Sequence, residues 1–209
     1  KLQMYNGDQR TALFTGITVD GLANSLPDGV EAIGVAFGED KFDVVPSDSV
    51  FGKEAIRFKI SYVLPGWTEV FTLDMVEGDS RLSSNPHEVI VPLSAARKLF
   101  GERESYLGLT FEPAKNAKAY FKITGVYRDF PKNTIVANTC YMVIPEGVYG
   151  KIKKDGISGN YQCYFRLHKG ITSELAEKDL FTKFVNNALG KKDGEEDLAK
   201  AGFRLYPLH

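Results

Sequence analysis

Apolar positions along this chain repeat at two spacings, and the places where one spacing gives way to the other divide it into elements. Residues 57–63, "RFKISYV", alternate Phe58, Ile60 and Tyr62 with Arg57, Lys59 and Ser61, which predicts a strand with one buried face. "VEAIGVAF" (30–37) sets Ile33, Val35 and Phe37 on one side in the same way, and a polar stretch separates the two runs. Before them, Val19, Leu22, Ala23 and Leu26 recur at helical spacing, with Thr18 placed to cap the helix and Pro27-Asp28-Gly29 to stop it. After them, "PGWTEVFTLDMVEGD" predicts a short helix or turn around Trp67 to Phe71, with a break at Gly78.

The middle of the chain is richer in strands. "HEVIVPLSAARKLFG" (87–101) predicts an apolar strand over 88–91 and a helix from about Leu93 to Phe100. Leu93, Ala96 and Phe100 share its apolar stripe, Arg97 and Lys98 suit the negative end of its dipole, and Gly101 suits the left-handed position beyond it. "LGLTFEP" and "AYFKITGVYRDF" form a hairpin-like pair across "AKNAK", and "TCYMVIP" is a further strand. Residues 147–160, rich in Gly, Lys and Asp, are expected to be a surface connection. A strand–helix–strand unit ends the chain. "YQCYFRLH" is its first strand and Ser173 caps its helix. Ala176, Leu180, Phe181, Phe184, Val185 and Ala188 form a broad apolar face stopped by Gly190, and "FRLYPL" follows as the second strand.

The outer parts, 1–79 and 161–209, share a helix-and-strand plan, whereas 80–146 holds several strands and one short helix. The fold class expected is α+β: an α/β layer pair split in sequence, with 80–146 inserted as a subdomain and 147–160 as connection. At 209 residues with 43% hydrophobic side chains, the chain is long enough for such a core. The chain begins without methionine and breaks off on "FRLYPLH", so it is expected to be a piece of a larger protein.

Charge and candidate chemistry narrow the function classes. A net charge of −1 gives no field favouring nucleic acid, and the aromatics are spread over strands rather than interleaved with basic residues. No apolar run approaches the roughly 20 residues that cross a bilayer. Cys140 and Cys163 each sit among apolar neighbours in strand-like runs; a buried thiol and a disulfide both remain open. The glutamate after His87 hints at HExxH, but Val91 stands where the second histidine belongs, and His168 and His209 have no ligand spacing. "DGISGN" lacks the second glycine of a nucleophile elbow around Ser158, and no phosphate-binding glycine loop is present. Ser94 follows Pro92, which lacks a backbone donor, and no cation flanks that helix start, so an anion site there is not expected. Arg128 and Asp129, in "VYRDFPKNT", are expected to belong to a turn enforced by Pro131 rather than to a catalytic pair.

The middle motifs, taken in order, carry a resemblance. "FTLDMVEGDSR", "NPHEVIVPLSAARKLFG", "YLGLTFEP", "FKITGVYRDFPKNT" and "YMVIP" resemble the periplasmic core domain of MacB-like ABC transporter permeases. The matching positions are Gly78-Asp79, Val89-Ile90-Val91, Leu99-Phe100-Gly101, Gly108, and Gly125-Val126 with Asp129 and Pro131, all within about Thr68 to Pro145. Pro92 departs from the pattern by standing where the family has a serine-like cap, which puts the entry angle of the helix in question.

The resemblance implies an extracytoplasmic domain tethered by flanking transmembrane helices at the periplasmic side of a bacterial inner membrane. It would have a split porter-like part and an inserted sabre-like part. Such a domain carries no catalytic set, metal or cofactor of its own. ATP hydrolysis belongs to a separate cytoplasmic ATPase, the transporter is a homodimer, and a periplasmic adaptor is a possible partner. The domain would transmit ATP-driven change to substrate export. An FtsX-like or lipoprotein-release permease domain, acting on a cell-wall hydrolase or a carrier protein, is the alternative, and an autonomous hydrolase would need a nucleophile and base at spacings this chain does not offer.

Overall fold

The structure, a computed structural model, describes residues 1–6, 8–47, 54–115, 119–134, 136–152, 154, 159–188 and 201–207. Two units of dense internal packing divide the chain: Lys1–Phe37 with Gly147–His209, and Gly38–Glu146.

In the first unit the small sheet is made by segments from opposite ends of the sequence. β1 (Leu2–Asn6) pairs antiparallel with β11 (Ala201–Leu205), Leu2 opposite Leu205 and Met4 opposite Phe203, and on its other edge with β2 (Gln9–Thr11). Helix α5 (Ser173–Ala188) covers this sheet through Leu180, which is fully buried, and through Phe181 and Phe184, whose rings lie 5.3 and 5.4 Å from Phe203. Glu177 adds a polar tie by accepting from the Leu205 backbone N–H at 2.6 Å. Helix α1 (Gly16–Ala23) buries Val19 and Leu22. The first half of β3 (Val30–Pro46) pairs antiparallel with β10 (Tyr161–Leu167), and Phe37 stacks on Tyr161 at 4.8 Å.

Both helix starts differ from expectation by a few residues, for the same reason. The Val19 N–H donates to the Thr15 carbonyl and the Thr18 N–H to the Thr15 hydroxyl, so Thr15, and not Thr18, is the cap of α1. Thr172 takes the corresponding bonds from Ala176 and Leu175 and therefore caps α5 in place of Ser173. In each case the earlier of two threonine or serine side chains is the one whose carbonyl already accepts the first helical bond. β1 and β2 were not anticipated from the sequence, and helix α4 (Glu146–Ile152) occupies the start of the stretch 147–160 expected to be a connection. Ser158, Gly190, the loop 191–197 and His209 lie outside the described residues.

The second unit is built on strands in the order β3-β4-β9-β6-β8-β5. β4 (Ile56–Val63) runs parallel to β9 (Cys140–Val143), and β6 (Glu88–Pro92) runs parallel to β8 (Phe121–Tyr127). β5 (Met75–Gly78) and β7 (Thr110–Pro113) pair antiparallel with β8, β7 giving the expected hairpin-like contact of Phe111 with Phe121. The short helix α2 (Trp67–Val70) stands where the sequence predicted it. Helix α3 (Leu93–Phe100) lays Ala96, Leu99 and Phe100 onto Phe58, Ile60, Val89, Val91, Phe111, Ile123 and Val126, and these form one buried cluster.

The division at Phe37/Gly38 falls inside β3, well before the break expected after Asp79. Parallel pairing with β9 draws β4 into the middle unit, and Val44 to Pro46 of β3 pair with β7. Periodicity marks that β4 is a strand; it carries no information about which distant strand it will join.

Candidate functional site

The residues singled out by motif gather around β8. Gly78, the last residue of β5, lies opposite Gly125 in the β5–β8 ladder. Gly78 has φ 73°, and a Cβ built on it would stand 2.3 Å from the Thr124 carbonyl oxygen; one on Gly125 would stand 2.8 Å from Met75 Cε and 2.9 Å from the Asp79 carbonyl oxygen. Two glycines face to face therefore let the strands approach more closely than any side chain permits. Gly108 reaches the same strand, its N–H donating to the Ile123 carbonyl at 2.8 Å, with φ 80°. Val126, fully buried, points into the cluster beneath.

At the end of α3, Phe100 is buried and Gly101 closes the helix with φ 73°, its N–H donating to the Arg97 carbonyl at 2.8 Å. The Tyr106 hydroxyl then donates to the Gly101 carbonyl. At the start of the helix, Pro92 holds the cap position and offers no side-chain hydrogen bond. Asp129, from just past β8, supplies what is missing: one carboxylate oxygen accepts from the Ser94 backbone N–H at 2.9 Å, and the other accepts from the Ser94 hydroxyl. A carboxylate at the positive end of the helix dipole is stabilising on both counts. The departure at Pro92 is thus answered by Asp129, 37 positions on, and the helix starts at Leu93 as the sequence predicted.

The arrangement does structural work at each of these positions. Ser94 spends its hydroxyl on Asp129, while Arg128 pairs with Asp74 at 2.8 Å, so the neighbours Arg128 and Asp129 serve two different contacts. Asp79 accepts from the Arg81 backbone and guanidinium, and these bonds hold its carboxyl below the ordinary value. Pro131 opens the turn whose ends Asn138 ties together, accepting from the Phe130 N–H at 2.7 Å and donating to the Phe130 carbonyl at 3.0 Å. His87 packs flat against Tyr120, ring centroids 4.6 Å apart, with Nδ1 3.0 Å from the Tyr120 carbonyl oxygen. Among the described residues no three His, Cys, Asp or Glu side chains converge in a way that could hold a metal ion. Cys140 and Cys163 are free and buried, and burial pushes the Cys163 thiol up to about 12.

One buried contact escaped sequence reasoning. The Tyr127 hydroxyl donates to the Thr139 carbonyl at 2.8 Å and accepts from the Thr139 N–H at 3.0 Å, while the Thr139 hydroxyl donates to the Lys59 carbonyl. This staple fixes the approach to β9, and burial raises the Tyr127 pKa. A tyrosine at the end of an alternating strand was its only signal, and that signal does not name the partner.

No protein-family model matches the sequence, and no curated protein matches it. Solved structures do. A domain of a permease protein from Porphyromonas gingivalis superposes with a TM-score of 0.76 over 100% of this chain and 89% of its own, at 18% identity. The periplasmic region of MacB from Actinobacillus actinomycetemcomitans gives 0.60 over 97% and 86%, also at 18% identity. The extracellular domain of the noncanonic ABC-type transporter YknZ from Gram-positive bacteria gives 0.58 over 99% and 100%, at 16% identity. The chain therefore has the mixed α+β fold of the periplasmic and extracellular domains of MacB-like ABC-type permeases.

Proposed function

We propose that this chain is the extracytoplasmic domain of an ABC-type permease, and that it passes conformational change driven by a cytoplasmic ATPase to substrate export or to a partner outside the membrane. The observation that carries the reading is the likeness to a permease domain, a periplasmic region of MacB and an extracellular domain of an ABC-type transporter, each over at least 97% of this chain. Fold alone supports many functions, so the site has to agree. The motif residues add support: they are spent on packing, capping and turn closure around β8. In this reading 38–146 is the inserted, sabre-like part and the remainder the porter-like part, with the permease's own membrane helices adjoining it. None of the described helices is long and apolar enough to cross a membrane.

Topology tests the proposal directly. Arg81, whose side chain is 89% exposed, is replaced by cysteine in the full-length protein, where the buried Cys140 and Cys163 contribute little background. A membrane-impermeant maleimide added to intact cells is expected to label Arg81→Cys before lysis, and the labelled protein to co-purify with an ATP-hydrolysing subunit or domain. Labelling that requires lysis of the inner membrane would overturn the proposal.

A further inference from the structure

The small sheet β11-β1-β2 has two unlike faces. Leu2, Met4 and Phe203 share the face that α5 covers. By strand alternation Gln3 and Tyr5 of β1 share the other face with their ladder partners, Arg204 and Gly202 of β11 and Arg10 of β2. Tyr206 joins them, because its N–H donates to the Lys1 carbonyl at 2.9 Å and carries the β1–β11 ladder one step further. Gln3, Tyr5, Arg10, Arg204 and Tyr206 line an open pocket of about 240 Å³, and both arginines and Tyr206 are exposed.

Gly202 gives this face its shape. A Cβ there would collide with the Tyr5 hydroxyl and ring carbons, so the glycine is what lets the phenol lie across β11. The Arg204 guanidinium then sits 5.9 Å from the centre of the Tyr5 ring, a cation–π contact. Arg10 and Arg204 come from the strands on either side of β1, and no carboxylate lines the pocket. Asp8, in the turn between β1 and β2, is not part of the lining, and among the described residues no ion pair answers either arginine. Guanidiniums only donate, and the Gln3 amide and two phenols add further donors, so the complementary ligand is an oxyanion. A phosphate, whose oxygens can accept from two guanidiniums at once, matches best.

In the proposed function the flanking membrane helices adjoin β1 and β11, which brings these strands near the lipid headgroups. Arginines gain there from anionic phosphate, and a tyrosine satisfies an apolar ring and a polar tip together. We propose that the open face of the small sheet binds the phosphate of an anionic phospholipid headgroup, held by Arg10 and Arg204 with Tyr5 and Tyr206 beside its glycerol. The choice of a lipid as the source of the phosphate rests on the permease reading. The pocket itself lies wholly within the unit of 1–37 with 147–209.

The test uses the 209-residue chain and vesicles of phosphatidylcholine, alone or with phosphatidylglycerol at about one part in four, at about 0.15 M salt so that long-range attraction is screened. Co-sedimentation should show saturable binding to the mixed vesicles and at least tenfold weaker binding to phosphatidylcholine alone. The double variant Arg10→Gln/Arg204→Gln should bind the mixed vesicles at least tenfold more weakly, since each basic side chain near an anionic surface is worth roughly fivefold. Arg81→Gln, exposed and in the other unit, should bind as the unaltered chain does. A second readout needs no variant: glycerol 3-phosphate should shift the Nε–Hε resonances of Arg10 and Arg204 in nuclear magnetic resonance spectra and leave that of Arg81 in place. No preference for the mixed vesicles, binding unchanged in the double variant, or resonances of Arg10 and Arg204 that stay in place would each overturn the proposal. Shifts with inorganic phosphate but no vesicle preference would overturn the lipid source in favour of a free anion. Added vesicles reach the chain whatever its topology in a cell, so this experiment and the maleimide labelling fail independently.

Discussion

The unit of residues 38–146 and the unit formed by 1–37 with 147–209 are closed by different devices. In the middle unit paired residues of β6 and β8 are 34 or 35 positions apart, yet the strands, the helix between them and the turn beyond lie in one continuous stretch. They are locked by two facing glycines and a cap supplied by Asp129. In the other unit Leu2 meets Leu205, and the small sheet depends on α5 and one aromatic contact group around Phe203. Close backbone approach leaves little slack, whereas the small sheet pairs strands distant in sequence and leans on the helix that covers it. In the proposed function the middle unit would be the rigid lever and the other the place where movement enters.

The comparison can be broken first at the glycine pair. Gly125→Val would drive its Cβ into Met75 and the Asp79 carbonyl, and is expected to cost about 4 kcal/mol or more, the range of severe overpacking at a backbone contact. Denaturant unfolding followed by far-ultraviolet circular dichroism should show the midpoint fall steeply; a shift below about 1 kcal/mol would mean the strands can separate without penalty. Phe203→Ala tests the other unit. It removes a buried ring from between Phe181 and Phe184 and should cost about 3 kcal/mol, read by the same unfolding curve. Its distinguishing mark is faster hydrogen exchange in β1 and β11 with β6 and β8 unaffected.

A smaller effect sharpens the account of α3. Asp129→Ala removes the carboxylate that caps the helix behind Pro92, with an expected loss of about 1–2 kcal/mol, and Asp129→Asn should recover part of it because an amide oxygen still accepts from the Ser94 N–H. The smallest effect is one of pH. Hydrogen bonds from Arg57 hold the Asp43 carboxyl below its ordinary value of 3.8, so the stability this pair adds is present above 3.8 and is lost as pH falls through the lower, folded-state value. The melting temperature of Asp43→Asn should therefore lie slightly below that of the unaltered chain at neutral pH and converge with it in strong acid. Curves that stay parallel across this range would remove the pair from the account.

What the sequence disclosed follows from the same contrast. The strand at 88–92, the helix at 93–100 and its glycine stop were legible because period, dipole charge and Gly101 are local features. The role of Asp129 was not, since a cap delivered from 35 positions away leaves no trace at the helix it serves. Residues 1–11 carry too few alternating apolar positions to announce a strand; β1 and β2 exist because β11 and α5 provide an edge and a cover for them.

In the proposed function the domain is moved through the unit of 1–37 with 147–209 and stays stiff across 38–146. Hydrogen exchange of the full-length protein, compared between its nucleotide-free state and a state trapped with ATP and vanadate, tests it most directly. The account predicts altered protection in β1 and β11 and unchanged protection across Val89–Val91 and Ile123–Val126; identical exchange throughout the domain in both states, or change centred on β6 and β8, would contradict it.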